Sequence, residues 1–212
     1  MCSMCENCSL FFAICRIGCY KCCQKIKGKQ PDVPRPVYSV LMIGLSQAGK
    51  SVLLARLGSE STDDIKPTQG FSVKPVQLPH AILDVKELGG GDGVRKYWQH
   101  YYDGSQGVIF VVDSTSSEED LELAAAELQS ALSHPALRDL PLLVLANKQD
   151  EKEARSVEKL EELLDLKTLA RNRQWLIKPC SIDKIDDVRE ALSSFVEKIT
   201  GPVIDTQPDN RL

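Results

Sequence analysis

The stretch Gly44-Leu45-Ser46-Gln47-Ala48-Gly49-Lys50-Ser51 constrains this chain more than any other, because it dictates what must come before and after it. It fits the pattern G-x-x-x-x-G-K-[ST], which acts only as the turn between a strand and a helix. The β-branched apolar run Val37–Ile43 precedes it, and Ser51–Leu57 follows with the composition of a helix start. In that setting the glycines let backbone N–H groups turn inward around phosphate oxygens, and the helix adds the positive end of its dipole. Gly44 through Val52 are therefore candidate phosphate-cradle residues, with Lys50 reaching the β and γ phosphates and Ser51 offering its hydroxyl to Mg²⁺. A chance Gly-rich turn is the competing explanation, and the strand before and helix after argue against it.

The remaining pattern repeats strand, loop and helix. Phe71–Leu78 and Ala81–Glu87 read as strands joined at Pro79-His80, and the short apolar runs Val108–Val112 and Leu142–Ala146 suit central parallel strands. Glu118–Leu132 has helical spacing at Leu121, Ala124, Ala125, Leu128 and Leu132. Val157–Leu164 reads as a further helix, Trp175–Lys178 as a last strand, and Val188–Ile199 as a closing helix stopped by Gly201-Pro202. This alternation predicts an α/β fold: a mainly parallel sheet covered by helices on both faces, with ligands at the carboxyl ends of the strands.

The phosphate loop does not choose a base. Asn147-Lys148-Gln149-Asp150, directly after the run Leu142–Ala146, does. The Asp150 carboxylate can accept two hydrogen bonds from the N1–H and exocyclic amine of guanine. Adenine offers no such donor pair, and an unpaired buried carboxylate is costly. The expected cofactors are therefore GTP and GDP with Mg²⁺.

With these motifs on the page, the chain from about residue 37 to 200 resembles the ADP-ribosylation factor-like (Arf-like) small GTPases. Lys66-Pro67-Thr68-Gln69-Gly70-Phe71-Ser72-Val73 is similar to their switch I, and Glu87-Leu88-Gly89-Gly90-Gly91-Asp92 occupies their switch II. Gln106 to Ser114 and Ala146 to Asp150 also match that branch. The resemblance implies a P-loop G domain with a six-stranded sheet that cycles between GDP and GTP forms. It implies that Thr68 ligates Mg²⁺ with Ser51, that Gly90 offers its N–H to the γ-phosphate, and that Cys180-Ser181 sits in the loop against the guanine. Three positions depart from the branch. Glu87 stands for its Asp and is expected to touch Mg²⁺ through water; Gly91 stands for the Gln that orients the attacking water; Lys86 stands for the Trp of an aromatic triad completed by Phe71 and Tyr101. No catalytic residue is therefore assigned, and intrinsic hydrolysis is expected to be very low. Gly89, Gly90, Gly91 and Gly93 also predict a flexible switch II.

Cysteine and charge are both lopsided. Seven of the eight cysteines lie in the first 23 residues: Cys2, Cys5, Cys8, Cys15, Cys19, Cys22 and Cys23. Residues 1–36 hold six basic side chains against two acidic ones, while the 212-residue chain carries −4. A basic arm on an acidic body points to a membrane surface and away from nucleic acid. The apolar run Leu10–Cys15 is too short to span a bilayer. The spacings Cys2-x₂-Cys5-x₂-Cys8 and Cys15-x₃-Cys19-x₂-Cys22 admit zinc or an iron–sulfur cluster, but no histidine lies near and little chain surrounds them. S-acylation suits them better, with Leu10, Phe11, Phe12, Ile14 and Ile17 interleaved and lysines following. Unmodified thiols are the third reading.

The expected organisation is a Cys/Lys-rich anchoring arm (1–29), a Pro-rich linker (30–36), a GTP-binding domain (37–200) and a disordered tail (201–212). The expected function is a lipid-anchored, peripheral GTP/GDP switch on the cytosolic face of Golgi, endosomal or plasma membranes. Its GTP form would recruit effectors at the switches, and an exchange factor and an activating protein would act on it. The alternative is a hydrolysis-deficient, nucleotide-bound scaffold for a membrane partner. His80, His100 and His134 read as surface or packing residues, and Trp98 with Tyr97, Tyr101 and Tyr102 as packing beside switch II or a partner anchor.

Overall fold

A computed structural model describes residues 34–63 and 65–201. The expectations for the cysteine arm, most of the linker and the tail beyond Gly201 fall outside the described residues. The described residues from Pro36 to Gly201 pack as one unit. Its elements run β1 (Val37–Ile43), α1 (Lys50–Leu57), β2 (Phe71–Gln77), β3 (Ile82–Leu88), the single turn α2 (Asp92–Arg95) and a 3₁₀ turn (Trp98–Tyr101). They continue with β4 (Gly107–Asp113), α3 (Glu118–Ser133), a 3₁₀ turn (Pro135–Leu137), β5 (Leu142–Asn147), α4 (Val157–Leu163), the short α5 (Leu166–Leu169), β6 (Trp175–Pro179) and α6 (Ile185–Thr200).

The six strands form one sheet in the order β2-β3-β1-β4-β5-β6. β2 and β3 are antiparallel, and every other pair is parallel. The two-residue period of a strand divides the core. In β1, Val40 and Met42 point to the face covered by Leu53 and Leu54 of α1 and by Val188, Leu192 and Phe195 of α6. Leu41 and Ile43 point to the other face, with Leu121, Leu128 and Leu132 of α3 and Leu160 of α4. β4 and β5, covered on both sides, are apolar almost without alternation, as buried parallel strands must be.

Two helices show how local sequence sets the ends of the elements. In α6, Val188, Ala191, Leu192 and Phe195 recur at the spacing of one helical face and are all buried. In α3, the Ser117 side chain accepts the Asp120 N–H at 3.1 Å, and Glu118, Glu119 and Asp120 sit at the positive end of the helix dipole. Ser117→Ala is expected to cost about 1 kcal/mol of unfolding free energy, read by urea denaturation, with the denaturant slope unchanged.

Candidate nucleotide site

The carboxyl ends of β1, β3 and β5 open on one cavity of about 630 Å³, within the range of small-ligand pockets. Its wall takes Gly49, Lys50, Ser51 and Val52 from the phosphate loop and α1, Thr68 from switch I, Glu87, Gly90 and Gly91 from switch II, and Asn147, Lys148 and Asp150 from the loop after β5. Ser46 and Gln47 also face it. Leu45 and Ala48 instead line a separate cavity on the far side of the loop. Cys180 and Ser181 are buried and are not part of the wall.

The phosphate loop is built by its end glycine and its lysine. Gly49 sits at φ 90°, and a Cβ there would lie 2.3 Å from Asn147 Nδ2, so the loop and the base-side loop touch where only glycine fits. Lys50 is buried, and its Nζ donates to the carbonyls of Gly44 and Leu45 at 2.8 Å each. Burial pulls the ammonium down to about 8, with the Glu87 carboxylate opposing. An ammonium held in this way gains from an anion in the loop.

Three oxygens meet at the floor of the cavity. Ser51 Oγ donates to Glu87 Oε1, Thr68 Oγ1 donates to the same atom at 3.3 Å, and the two hydroxyls lie 3.1 Å apart. Glu87 is 2% exposed, and its second oxygen accepts from Ser72 Oγ at 3.4 Å. Hard oxygens of this kind suit Mg²⁺. Among the described residues no group of three His, Cys, Asp or Glu stands ready for a metal. A cation here would depend on these oxygens together with phosphate oxygens, so the donor set fits nucleotide-bound Mg²⁺.

Switch II is anchored at both ends, whereas its four glycines suggested a loose loop. Gly89 N–H donates to Gly70 O at 2.8 Å, and the buried Trp98 donates its indole N–H to Gly89 O at 2.8 Å. Arg95 donates to Gly90 O at 3.0 Å, to Asp92 at 2.7 Å and to Glu127 of α3 at 2.8 Å. At Gly90 a Cβ would lie 2.3 Å from the Leu45 carbonyl carbon, so this glycine permits contact with the phosphate loop. At Gly91, with φ −72°, a Cβ would meet nothing within 4 Å.

The base-side loop is held from below. Asn147 Nδ2 donates to Ala48 O at 2.8 Å and its Oδ1 accepts from Cys180 Sγ at 3.5 Å, which joins three loops through one buried amide. Burial, with the Asp150 charge adding, pushes the Cys180 thiol up to about 12, so it packs rather than reacts. Lys148 pairs with Asp113 at the end of β4. Burial raises the Asp113 carboxyl, but hydrogen bonds from Lys148 and Thr115 outweigh it and hold it below the usual carboxylate range. That anchor contributes stability at neutral pH and is lost as pH falls through the lowered value. Asp150 stays exposed at the rim.

On the outer edge, the rings of Phe71 and Tyr101 meet at a tilt of 43° with centroids 4.9 Å apart, and Lys86, the departure from the aromatic triad, donates to Tyr101 O at 3.0 Å. Phe71, Val73 and Tyr97 remain about half exposed beside them. Sequence reasoning missed the Arg95–Glu127 tie, which spans two elements far apart in the chain. It also missed the direct contact of Glu87 with Ser51.

A phosphate loop, a switch threonine and a base-reading loop around one cavity at the end of this sheet define a P-loop domain with the small-GTPase fold. The ADP-ribosylation factor family profile matches residues 23–199, and the chain belongs to that family. ADP-ribosylation factor-like protein 15 of Homo sapiens is 50% identical over 177 residues, covering 84% of this chain and 87% of that protein. ADP-ribosylation factor J of Dictyostelium discoideum is 38% identical over 151 residues, covering 71% of this chain and 79% of that protein. Among solved structures, the Arl6 BBS3 small GTPase of Trypanosoma brucei with bound nucleotide analogue GppNp is similar at a TM-score of 0.70 and 30% identity, covering 77% of this chain and 98% of that one.

Proposed function

We propose that this chain is a membrane-anchored guanine-nucleotide switch that binds GTP and GDP with Mg²⁺, recruits effectors in its GTP form and hydrolyses GTP very slowly without a partner. The observation that carries this reading is the single cavity that gathers Lys50, Ser51, Thr68, Gly90, Asn147 and Asp150. Lys50 and the loop amides hold the phosphates, and Gly90 carries its N–H beside the phosphate loop. Asp150 accepts from guanine. Mg²⁺, when bound with the nucleotide, neutralises phosphate charge. Effector recognition falls to the paired Phe71 and Tyr101 rings with exposed Val73 and Tyr97, where Lys86 replaces an aromatic by a cation. The nucleotide that co-purifies with the protein from cells tests the reading: GDP or GTP supports it, and an adenine nucleotide contradicts it.

Anchoring rests on the composition of the arm. One acyl chain holds a membrane marginally, whereas two chains, or one chain with a basic patch, hold it stably. Replacing Cys22 and Cys23 is expected to weaken membrane association in cell fractionation, and replacing all seven arm cysteines is expected to release the chain to the cytosol. Stoichiometric zinc or iron in the purified protein would overturn acylation in favour of a metal site.

A second reading, a scaffold that binds its partner in either nucleotide state, is favoured by one observation. Thr68 is held directly by Ser51 and Glu87, so switch I has a protein-made seat. Equal partner affinity with GDP and with a GTP analogue would select it.

A further inference from the structure

The geometry points to Glu87 as a direct ligand of the nucleotide-bound cation, taking a position that water fills when the acid is one methylene shorter. The inference rests on the nucleotide reading above and deepens it. Mg²⁺ holds oxygens at 2.0–2.1 Å in octahedral array, so two ligands at right angles lie about 3 Å apart. Ser51 Oγ and Thr68 Oγ1 are 3.1 Å apart, and Thr68 Oγ1 and Glu87 Oε1 are 3.3 Å apart. Ser51 bonds directly to that same Oε1, so the three oxygens converge on one point, with the two edges at Thr68 close to those of an octahedral face.

The rest of the carboxylate is arranged to leave Oε1 in place. Its other oxygen is held by Ser72 Oγ, and the side chain is 2% exposed, so it has no alternative in solvent. Lys50 spends two of its protons on the phosphate-loop carbonyls and forms no ion pair with Glu87 among the described residues. The hydrogen bonds to this carboxylate come only from the hydroxyls of Ser51, Thr68 and Ser72 among the described residues. An aspartate at this position would end about 1.5 Å short, one carbon–carbon bond, and would need water to bridge the gap.

The test counts water on the metal. Full-length protein is loaded with Mn²⁺ and a non-hydrolysable GTP analogue, and the broadening of the Mn²⁺ paramagnetic resonance by ¹⁷O-water is measured for the natural chain and for Glu87→Asp. Two phosphate oxygens, Ser51 and Thr68 leave two octahedral positions, so the expected result is one metal-bound water in the natural chain and two in the variant. Equal counts of two overturn the inference while leaving the nucleotide reading intact. Failure of the natural chain to form any Mn²⁺–analogue complex overturns both. If Glu87→Asp does not fold, the absolute count in the natural chain decides alone: one supports direct ligation, and two contradict it.

Discussion

Asp150→Ala is expected to weaken GDP and GTP binding by about 2–5 kcal/mol, the loss that follows removal of one partner from a charged, paired hydrogen-bond set. The structure separates this effect from folding. Asn147 ties the loop to Ala48 and Cys180, and Lys148 ties it to Asp113, so the loop keeps its shape without Asp150. Asp150 itself is exposed at the cavity rim. Thermal unfolding of the ligand-free variant is therefore expected to match that of the natural chain, while an equilibrium titration with fluorescent GDP shows the loss. Unchanged affinity would mean that another group reads the base. Asn147→Ala is a poor substitute for this test, because it removes buried bonds that hold the loops together.

The second large effect concerns hydrolysis. Phosphoryl transfer here depends on positioning and charge, and a side chain that orients water contributes much of the positioning. Gly91 has none, so the unassisted rate is expected to fall below about 10⁻⁴ s⁻¹, the order of an intrinsic small GTPase. The backbone at Gly91 is in an ordinary extended region, and a Cβ would enter open space beside the phosphate end of the cavity. Gly91→Gln therefore introduces no strain and is expected to raise the single-turnover rate. No gain from Gly91→Gln, followed by a gain when Glu87→Asp is added, would place the defect at the metal-side acid instead. A natural rate matching that of Gln-containing relatives would refute the role assigned to position 91.

The contrast among the switch II glycines explains what the sequence left hidden. Four glycines in five residues read as looseness, yet Gly90 is glycine because the phosphate loop presses on it, and Gly91 is glycine with no such need. Composition cannot separate these two cases; neighbours can. The strands were legible because burial on both faces makes β4 and β5 nearly unbroken apolar runs, and β1 was bounded by the loop that follows it. The single turns Asp92–Arg95 and Leu166–Leu169 were not, since one turn is too short to show a period. The strain in the two motif loops was equally invisible. Gln47 and Lys148 both sit at φ 62°, a left-handed conformation uncommon for side-chain-bearing residues, and nothing in their identity announces it. At the site, Lys50, Ser51 and Asp150, picked out by spacing alone, all line the same cavity. Glu87 was legible as a departure, but its hold on Ser51, Thr68 and Ser72 needed three segments brought together by β2–β3 pairing and the β1–β3 register.

The most direct test of guanine selectivity is competition. Full-length protein carrying labelled GDP and Mg²⁺ is challenged with equal concentrations of unlabelled GTP or ATP, and the label released at equilibrium is measured. Release by GTP with none by ATP is the predicted result, because the Asp150 carboxylate finds a pair of adjacent donors on guanine and no such pair on adenine. Comparable release by ATP would contradict the guanine assignment and, with it, the switch function built on that assignment.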